Sequence, residues 1–127
     1  MKLDETKIQY HMYQDLIAKG HEIIVPNVSM SWLSCEADLI SVTKAGYMYE
    51  YEIKVSKQDF MADFKKRKHI ALKRSSGSIR TPSRFWYVAP PKATPLCIPD
   101  YAGLMSVEEI SQGRFKNIFI EIVKQAP

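Results

Sequence analysis

The chain has 127 residues, 46% of them hydrophobic, which is enough for one domain with its own core. Eighteen Lys and Arg residues against fourteen Asp and Glu give a net charge of +4. We recognise no signal peptide, no apolar run of membrane-spanning length and no internal repeat. The two cysteines lack the spacing of a metal site or a disulfide framework. We therefore expect a single cytoplasmic domain over residues 1–127 that does not enter a membrane.

Residues 4–19 predict the first helix, with Asp4 as its N-cap and Gly20 as its stop. An apolar stripe at four-residue spacing runs along it, formed by Ile8, Met12 and Leu16. Glu5 falls on the line of this stripe, so its carboxylate points inward and needs a partner. The alternative is that Glu5 lies in a frayed first turn and bends out to water.

Three strands are predicted next, near residues 22–29, 36–43 and 47–55. A three-residue loop with Gly46 in the left-handed conformation would join the last two strands and pair Thr43 with Tyr47. This loop length fixes which side chains share a face. A slip of one residue would move every side chain to the opposite face, so the whole interpretation depends on the register.

The predicted register gathers acidic side chains and one lysine on a single face of the hairpin. Asp38 falls opposite Glu52, and Glu36 falls opposite Lys54. Two directly opposed carboxylates, with Cβ atoms roughly 5 Å apart, repel each other, and a divalent cation between them reverses that penalty. Glu36 either binds a second cation or pairs with Lys54 across the hairpin. The alternative is a solvated face on which Glu50, Glu52 and Lys54 are ordinary surface charges.

A second helix is predicted over residues 56–72, directly after the third strand. Ser56 opens a capping-box arrangement in which Asp59 takes the place usually held by Glu. Asp63 follows Asp59 at helical spacing, and basic residues fill the next turns. Structural roles explain both acids well, Asp59 as a cap and Asp63 as the partner of a basic side chain on the same helix.

Positive charge is concentrated in the middle of the chain. Residues 64–99 hold nine Lys or Arg and no acid, so this stretch carries +9 and the remainder carries −5. Its densest part, 65–84, is rich in Ser and Gly and predicts a flexible basic loop that can follow a phosphate backbone. The predicted contacts to nucleic acid are Lys65, Lys66, Lys73, Arg74, Arg80 and Arg84. The alternative is a solubilising surface, but an acidic site beside this loop would otherwise repel phosphate.

The last third of the chain completes a mixed sheet. Trp86 and Tyr87 belong to a run with the aromatic and β-branched content of a buried strand at 84–89, so we expect core positions rather than stacking platforms. The proline-rich region 90–100 predicts a loop, followed by a strand near 102–107. Residues 115–124 alternate in a way that fits either an edge strand or a short helix. The fold class is therefore α/β.

The residues that follow Asp38 resemble the PD-(D/E)xK nuclease superfamily, and most closely its small MmcB-like group associated with DNA repair. In that group a Glu-x-Lys strand leads into a helix with the pattern Ser-x-x-Asp-Phe-x-x-Asp-x-Lys. The matching residues here are Asp38, Glu52, Lys54, Ser56, Asp59, Phe60, Asp63 and Lys65. The likeness covers about residues 4–110. Ala37 replaces the Pro that names the superfamily, and Lys66 stands where the group tends to have an aromatic residue.

The resemblance implies one nuclease-like domain with a restriction-endonuclease-like core, a mixed central β-sheet flanked by helices in αβββαβ order. It implies hydrolysis of DNA phosphodiester bonds in repair or processing, with Mg²⁺ or Mn²⁺ as cofactor. The implied ligands are Asp38, Glu52 and the backbone carbonyl of Ile53, while Lys54 positions or deprotonates the water. Many members place a helix Glu against the metal, and Glu5 is the matching position.

The implied partner is DNA, and a chain this small can dimerise or recruit another protein to span two strands. Two other functions remain open. One is a nucleic-acid-binding module that keeps the nuclease fold without chemistry. The other is a regulatory protein whose acidic cluster binds a cation only for stability.

Overall fold

The computed structural model describes residues 3–30, 35–63, 82–95 and 97–127. The regular elements in chain order are α1 (Glu5–Ala18), β1 (Ile23–Met30), β2 (Cys35–Val42), β3 (Met48–Ile53), α2 (Lys57–Asp63), β4 (Arg84–Ala89), a 3₁₀ turn (Pro91–Ala93), β5 (Ala102–Gln112) and β6 (Phe115–Lys124). The predicted second helix over 56–72 extends beyond this described part of the chain.

Within the described ranges, six strands form one mixed sheet in the order β1-β2-β3-β4-β5-β6. Strands β3, β4 and β5 run parallel to one another, whereas the β1–β2, β2–β3 and β5–β6 pairs are antiparallel. The predicted α/β class and mixed sheet are confirmed. The predicted αβββαβ order is wrong, because two further strands follow β4 and extend the sheet. The ambiguous C-terminal element is one of them, the edge strand β6.

The β2–β3 hairpin has the predicted register. Gly46 adopts a φ of +90°, which glycine reaches without steric cost, and the Thr43 N–H donates to the Tyr47 carbonyl at 3.0 Å. Pairing then continues up the ladder as far as Leu39 with Tyr51. Local turn chemistry therefore sets which side chains of β2 and β3 share a face.

Helix α1 covers one face of the sheet. The Asp4 carboxylate caps it by accepting a hydrogen bond from the Lys7 N–H at 2.8 Å, and Gly20, with a φ of +86°, follows its end, both as predicted. The predicted stripe is buried against alternate residues of the strands; the cluster contains Ile8, Met12, Leu16, Leu39, Tyr51, Ile53, Trp86, Val88, Met105 and Val107.

Helix α2 packs on the opposite face. The Ser56 hydroxyl accepts a hydrogen bond from the Asp59 N–H at 3.1 Å, which confirms Ser56 as the cap. Phe60 is buried against Phe85 and Tyr87, the β4 residues that alternate with those under α1. The predicted core positions of Trp86 and Tyr87 are confirmed. In the described residues, no helix is long and apolar enough to cross a bilayer.

A buried hydrogen-bond chain joins the end of α1 to the centre of the sheet. His21 Nδ1 lies 2.8 Å from Ser41 Oγ, which lies 3.0 Å from the hydroxyl of Tyr51. Ser41 and Tyr51 are both buried. Burial raises the pKa of Tyr51 to about 12, with the Ser41 hydrogen bond opposing the shift. The folded state therefore disfavours the Tyr51 phenolate.

We expect Tyr51→Phe to change how stability responds to alkali. A raised pKa contributes stability that is complete below the ordinary tyrosine value of 10.0 and is lost as the pH rises toward about 12. Phenylalanine cannot ionise. Across that pH range the free energy of unfolding should therefore fall by about 2–3 kcal/mol less for the variant than for the wild type. Near neutral pH it should be less stable by about 1 kcal/mol, for one lost hydrogen bond.

Urea denaturation at several alkaline pH values measures this difference. Tyr47→Phe is the matched control, since Tyr47 is exposed at the hairpin loop. Parallel pH dependences for Tyr51→Phe and wild type would contradict the assignment.

Candidate active site

Polar side chains gather at the carboxyl end of β3, next to the start of α2. At this end β3 runs parallel to β4, and the pairing continues one residue past Ile53, where the Lys54 N–H donates to the Val88 carbonyl at 3.0 Å. In α/β sheets ligands bind at the carboxyl ends of the parallel strands, where connecting segments leave an opening. The location is thus suited to a binding site.

Asp38 lies on β2 directly beside this end of β3. Its carboxylate oxygen Oδ2 accepts a hydrogen bond from the Ile53 N–H at 2.8 Å. In an antiparallel pair the N–H and C=O of one residue point toward the same neighbouring strand. The Ile53 carbonyl therefore lies on the edge of β3 that faces β2 and Asp38.

Glu52 and Lys54 are buried together on the α2 side of β3. Their side chains approach to 3.8 Å between Lys54 Nζ and Glu52 Oε2, and only 3% of Glu52 and 7% of Lys54 is exposed. Glu50, two residues earlier, is 0% exposed. The alternative of a solvated face with ordinary surface charges is therefore wrong. Buried charges are costly unless they are paired or bind an ion.

Glu5 extends this cluster from the first turn of α1. Its carboxyl group lies close to the Asp38 side chain, although the residue as a whole is exposed. Partial burial raises the pKa of Glu5, the negative charge of Asp38 raises it further, and the positive charge of Lys54 lowers it. Glu5 therefore lies near Asp38 and Lys54 while it stays exposed to solvent. Its role as a metal ligand stays a prediction.

The donors at this site are all oxygen, the ligand type that Mg²⁺ and Mn²⁺ prefer. No group of three or more His, Cys, Asp or Glu side chains in the described ranges is arranged to hold a metal ion. The predicted set is different in kind, since it combines two carboxylates, those of Asp38 and Glu52, with the main-chain carbonyl of Ile53. These donor types fit a hard cation.

Sequence analysis did not single out two residues that lie next to Asp38, Gln9 on α1 and Asn27 on β1. Gln9 on α1 donates its side-chain N–H to the Asp38 carbonyl at 2.6 Å and to Asn27 Oδ1 at 3.1 Å. Asn27, on β1, has a φ of +52°. Gln9 lies one helical turn after Glu5, which could have indicated a shared face, but nothing local predicts the conformation of Asn27.

The remaining predicted residues are only partly described. Asp59 is exposed in the first turn of α2. Arg84 is half-buried at the start of β4, with its guanidinium carbon 5.4 Å from the centre of the Tyr49 ring. That distance allows a cation–π contact in addition to the predicted contact with nucleic acid. The predicted contacts Lys65, Lys66, Lys73, Arg74 and Arg80 lie outside the described residues, as do the side chains of Glu36 and Asp63.

Comparison with known proteins identifies a fold relative. A protein of unknown function from Silicibacter pomeroyi has a solved structure similar to this chain, with a TM-score of 0.69 and 19% sequence identity. The similarity covers 100% of this chain and 75% of that one. No family model and no curated protein matches the chain. At this level of identity, the likeness shows that the two proteins share a fold.

Proposed function

We propose that this chain is a metal-dependent nuclease that hydrolyses DNA phosphodiester bonds, in DNA repair or processing. The observation that carries the proposal is the burial of Glu52 and Lys54 beside Asp38 at the carboxyl end of β3. Burying charged side chains there costs desolvation free energy, whereas an apolar pair of similar size would stabilise the fold as well or better. Their presence is better explained by chemistry than by stability.

The alternation along β3 supports this interpretation. Tyr51 and Ile53 pack under α1 in an apolar cluster, while Glu50, Glu52 and Lys54 are buried without belonging to that cluster. A strand buried on both faces usually carries apolar side chains on both. Here one face keeps three ionisable residues within five positions, which is the arrangement of a site rather than of a core.

The residues that would hold a cation are Asp38 and Glu52, through their carboxylates, and Ile53, through its carbonyl. A bound Mg²⁺ or Mn²⁺ would supply Lewis-acid catalysis and neutralise charge on the scissile phosphate. The resemblance to the PD-(D/E)xK superfamily suggests the same set. The Ile53 N–H fixes the Asp38 carboxylate at the edge of β3, so the three donors do not have to be collected from separate flexible loops.

Lys54 supplies the positive charge of the site. Its side chain lies on the same face of β3 as Glu52, and its ammonium group is held in the interior rather than in water. A desolvated cation interacts strongly with the developing negative charge at phosphorus. The same side chain can orient the attacking water as the ammonium ion or, as the neutral amine, accept the proton of that water. This gives Lys54 a direct role in the chemical step.

Substrate binding is proposed to depend on the basic segment, residues 65–84, most of which lies outside the described residues. Replacing Lys73, Arg74 and Arg80 together with Ala should weaken binding about equally for unrelated DNA sequences. Contacts to phosphates carry no sequence information and release counterions, so the slope of log affinity against log salt should fall by up to roughly 3, near 0.9 per lost contact.

Binding of two unrelated duplexes over a range of salt concentrations measures that slope. Replacing three exposed basic residues outside the segment, Lys19, Lys44 and Lys116, provides a control with equal charge. An unchanged slope, or a loss confined to one sequence, would remove the basic segment from DNA binding.

Nuclease activity itself is tested on a panel of end-labelled DNA structures: single strand, duplex, flap and branched junction. We expect cleavage with Mg²⁺ or Mn²⁺ and none with a chelator. Binding of DNA without cleavage of any member, under either metal, would instead favour a binding module that retains the fold. Equal cleavage with and without the chelator would exclude the proposed metal chemistry.

A further inference from the structure

The ladder between β1 and β2 is interrupted opposite Asp38. Pro26 pairs with Leu39 on one side of the interruption, and Val28 pairs with Ala37 on the other. The register is the same on both sides, so Asn27 faces Asp38 without any inserted residue. Its φ of +52° is a left-handed conformation that L-residues other than Asn and Asp seldom adopt. The backbone of β1 is therefore turned out of the ladder at this one position.

The side chain of Gln9 occupies the interruption. Its amide nitrogen donates to the Asp38 carbonyl at 2.6 Å and to Asn27 Oδ1 at 3.1 Å. A buried or half-buried carbonyl that loses its partner in the ladder needs another donor. Gln9 provides that donor from α1, and Asn27 fixes the orientation of the Gln9 amide by accepting its second hydrogen.

Two hydrogen bonds therefore fix Asp38, one to its carboxylate and one to its backbone carbonyl. Its carboxylate accepts from the Ile53 N–H at 2.8 Å, and its carbonyl accepts from Gln9. The first contact ties Asp38 to β3, and the second ties it to α1 and β1. A ligand carboxylate works best when its position is fixed within about 0.5 Å by surrounding groups of this kind.

We propose that Gln9 and Asn27 are positioning residues for Asp38, and that α1 thereby sets the Asp38 carboxylate for cation binding. This inference rests on the proposed function, because it takes Asp38 to be a ligand. Neither Gln9 nor Asn27 contacts the metal or the substrate in this proposal. They act through the backbone of Asp38.

The test compares Gln9→Met with Gln14→Met in the full chain. Methionine is similar in length to glutamine but cannot donate a hydrogen bond. Gln14 is exposed on the same helix, and its amide binds only the Tyr10 hydroxyl in the described structure, at 3.0 Å, so it controls for the substitution itself. Mn²⁺ affinity without DNA is measured by calorimetry, together with cleavage as a function of Mn²⁺ concentration.

We expect Gln9→Met to weaken Mn²⁺ binding by about 10- to 100-fold, the usual effect of removing a group that supports a ligand. Cleavage should approach the wild-type rate at saturating Mn²⁺, because the ligands themselves remain. A purely structural role would lower the active fraction at every Mn²⁺ concentration and leave the metal affinity of the folded molecules unchanged. Gln14→Met should match the wild type in both measurements.

Asn27→Gly is the second variant and keeps the proposal testable if Gln9→Met folds poorly. Glycine accepts the left-handed backbone but lacks the oxygen that orients Gln9. Weaker Mn²⁺ binding in this variant supports the inference, and wild-type affinity in either folded variant overturns it. If the wild type itself binds no Mn²⁺, the proposed function fails and the inference fails with it.

Discussion

Lys54→Ala is expected to reduce DNA cleavage by about 10²- to 10⁴-fold, the usual contribution of a group that transfers a proton in the transition state. DNA affinity should change little, because residues 64–99 hold nine other basic residues and one buried charge adds little to them. Cleavage under single-turnover conditions and binding by fluorescence anisotropy, both with saturating Mg²⁺, separate the two effects.

The matched control for this prediction is Lys57→Ala. Lys57 lies three residues further along at the start of α2 and is exposed, so it carries the same charge without the buried position. The Lys57→Ala variant should cleave DNA at the wild-type rate. Equal cleavage by Lys54→Ala and wild type would point to a different site or a contaminating nuclease.

Glu52→Gln should abolish metal binding and cleavage together. The substitution keeps the shape of the side chain but removes the charge that a divalent cation requires. Lys54, whose Nζ lies 3.8 Å from the Glu52 carboxylate, would also lose a buried counter-charge. Breaking a buried pair in this way costs about 3–5 kcal/mol, so stability must be measured in parallel.

Calorimetry with Mn²⁺ and circular dichroism at the same temperature distinguish loss of the site from loss of the fold. Glu121→Gln serves as the control, since Glu121 is exposed on β6. Mn²⁺ binding by folded Glu52→Gln with wild-type affinity would remove Glu52 from the ligand set.

The polar face of the β2–β3 hairpin was predictable because its causes are local. Gly46 and the length of its loop set the pairing of Thr43 with Tyr47, and alternation then puts Glu52 and Lys54 on one face. The start of α2 was predictable for the same reason, from a cap three residues before the N–H it binds. In both cases the determining residues are close together in the sequence.

The contacts that fix Asp38 from the other side depend on packing between distant parts of the chain. Gln9 and Asp38 are 29 residues apart, and their hydrogen bond exists because α1 lies across the sheet. The left-handed conformation of Asn27 and the complete burial of Glu50 are likewise set by neighbouring strands. Sequence patterns indicate which side chains lie on the same face of a strand, but not which part of the chain packs on that face.

The element order αβββαβ, which came from the resemblance, was wrong for a different reason. The resemblance implied a core of four strands, whereas β5 pairs with β4, and β6 pairs with β5, so the described sheet has six strands. The alternation at 115–124 was compatible with a strand, and pairing with β5 decides between strand and helix. A long edge strand therefore depends on its neighbour as much as on its own residues.

The most direct test of the site is a crystal structure with Mn²⁺, using anomalous scattering to locate the ion. We expect one peak within about 2.0–2.6 Å of carboxylate oxygens from both Asp38 and Glu52 and of the Ile53 carbonyl, the range for hard cations on oxygen ligands. Lys54 should remain beside Glu52. A Mn²⁺ peak elsewhere in the protein, or none at saturating Mn²⁺, would contradict the assignment of this site as the metal centre of a nuclease.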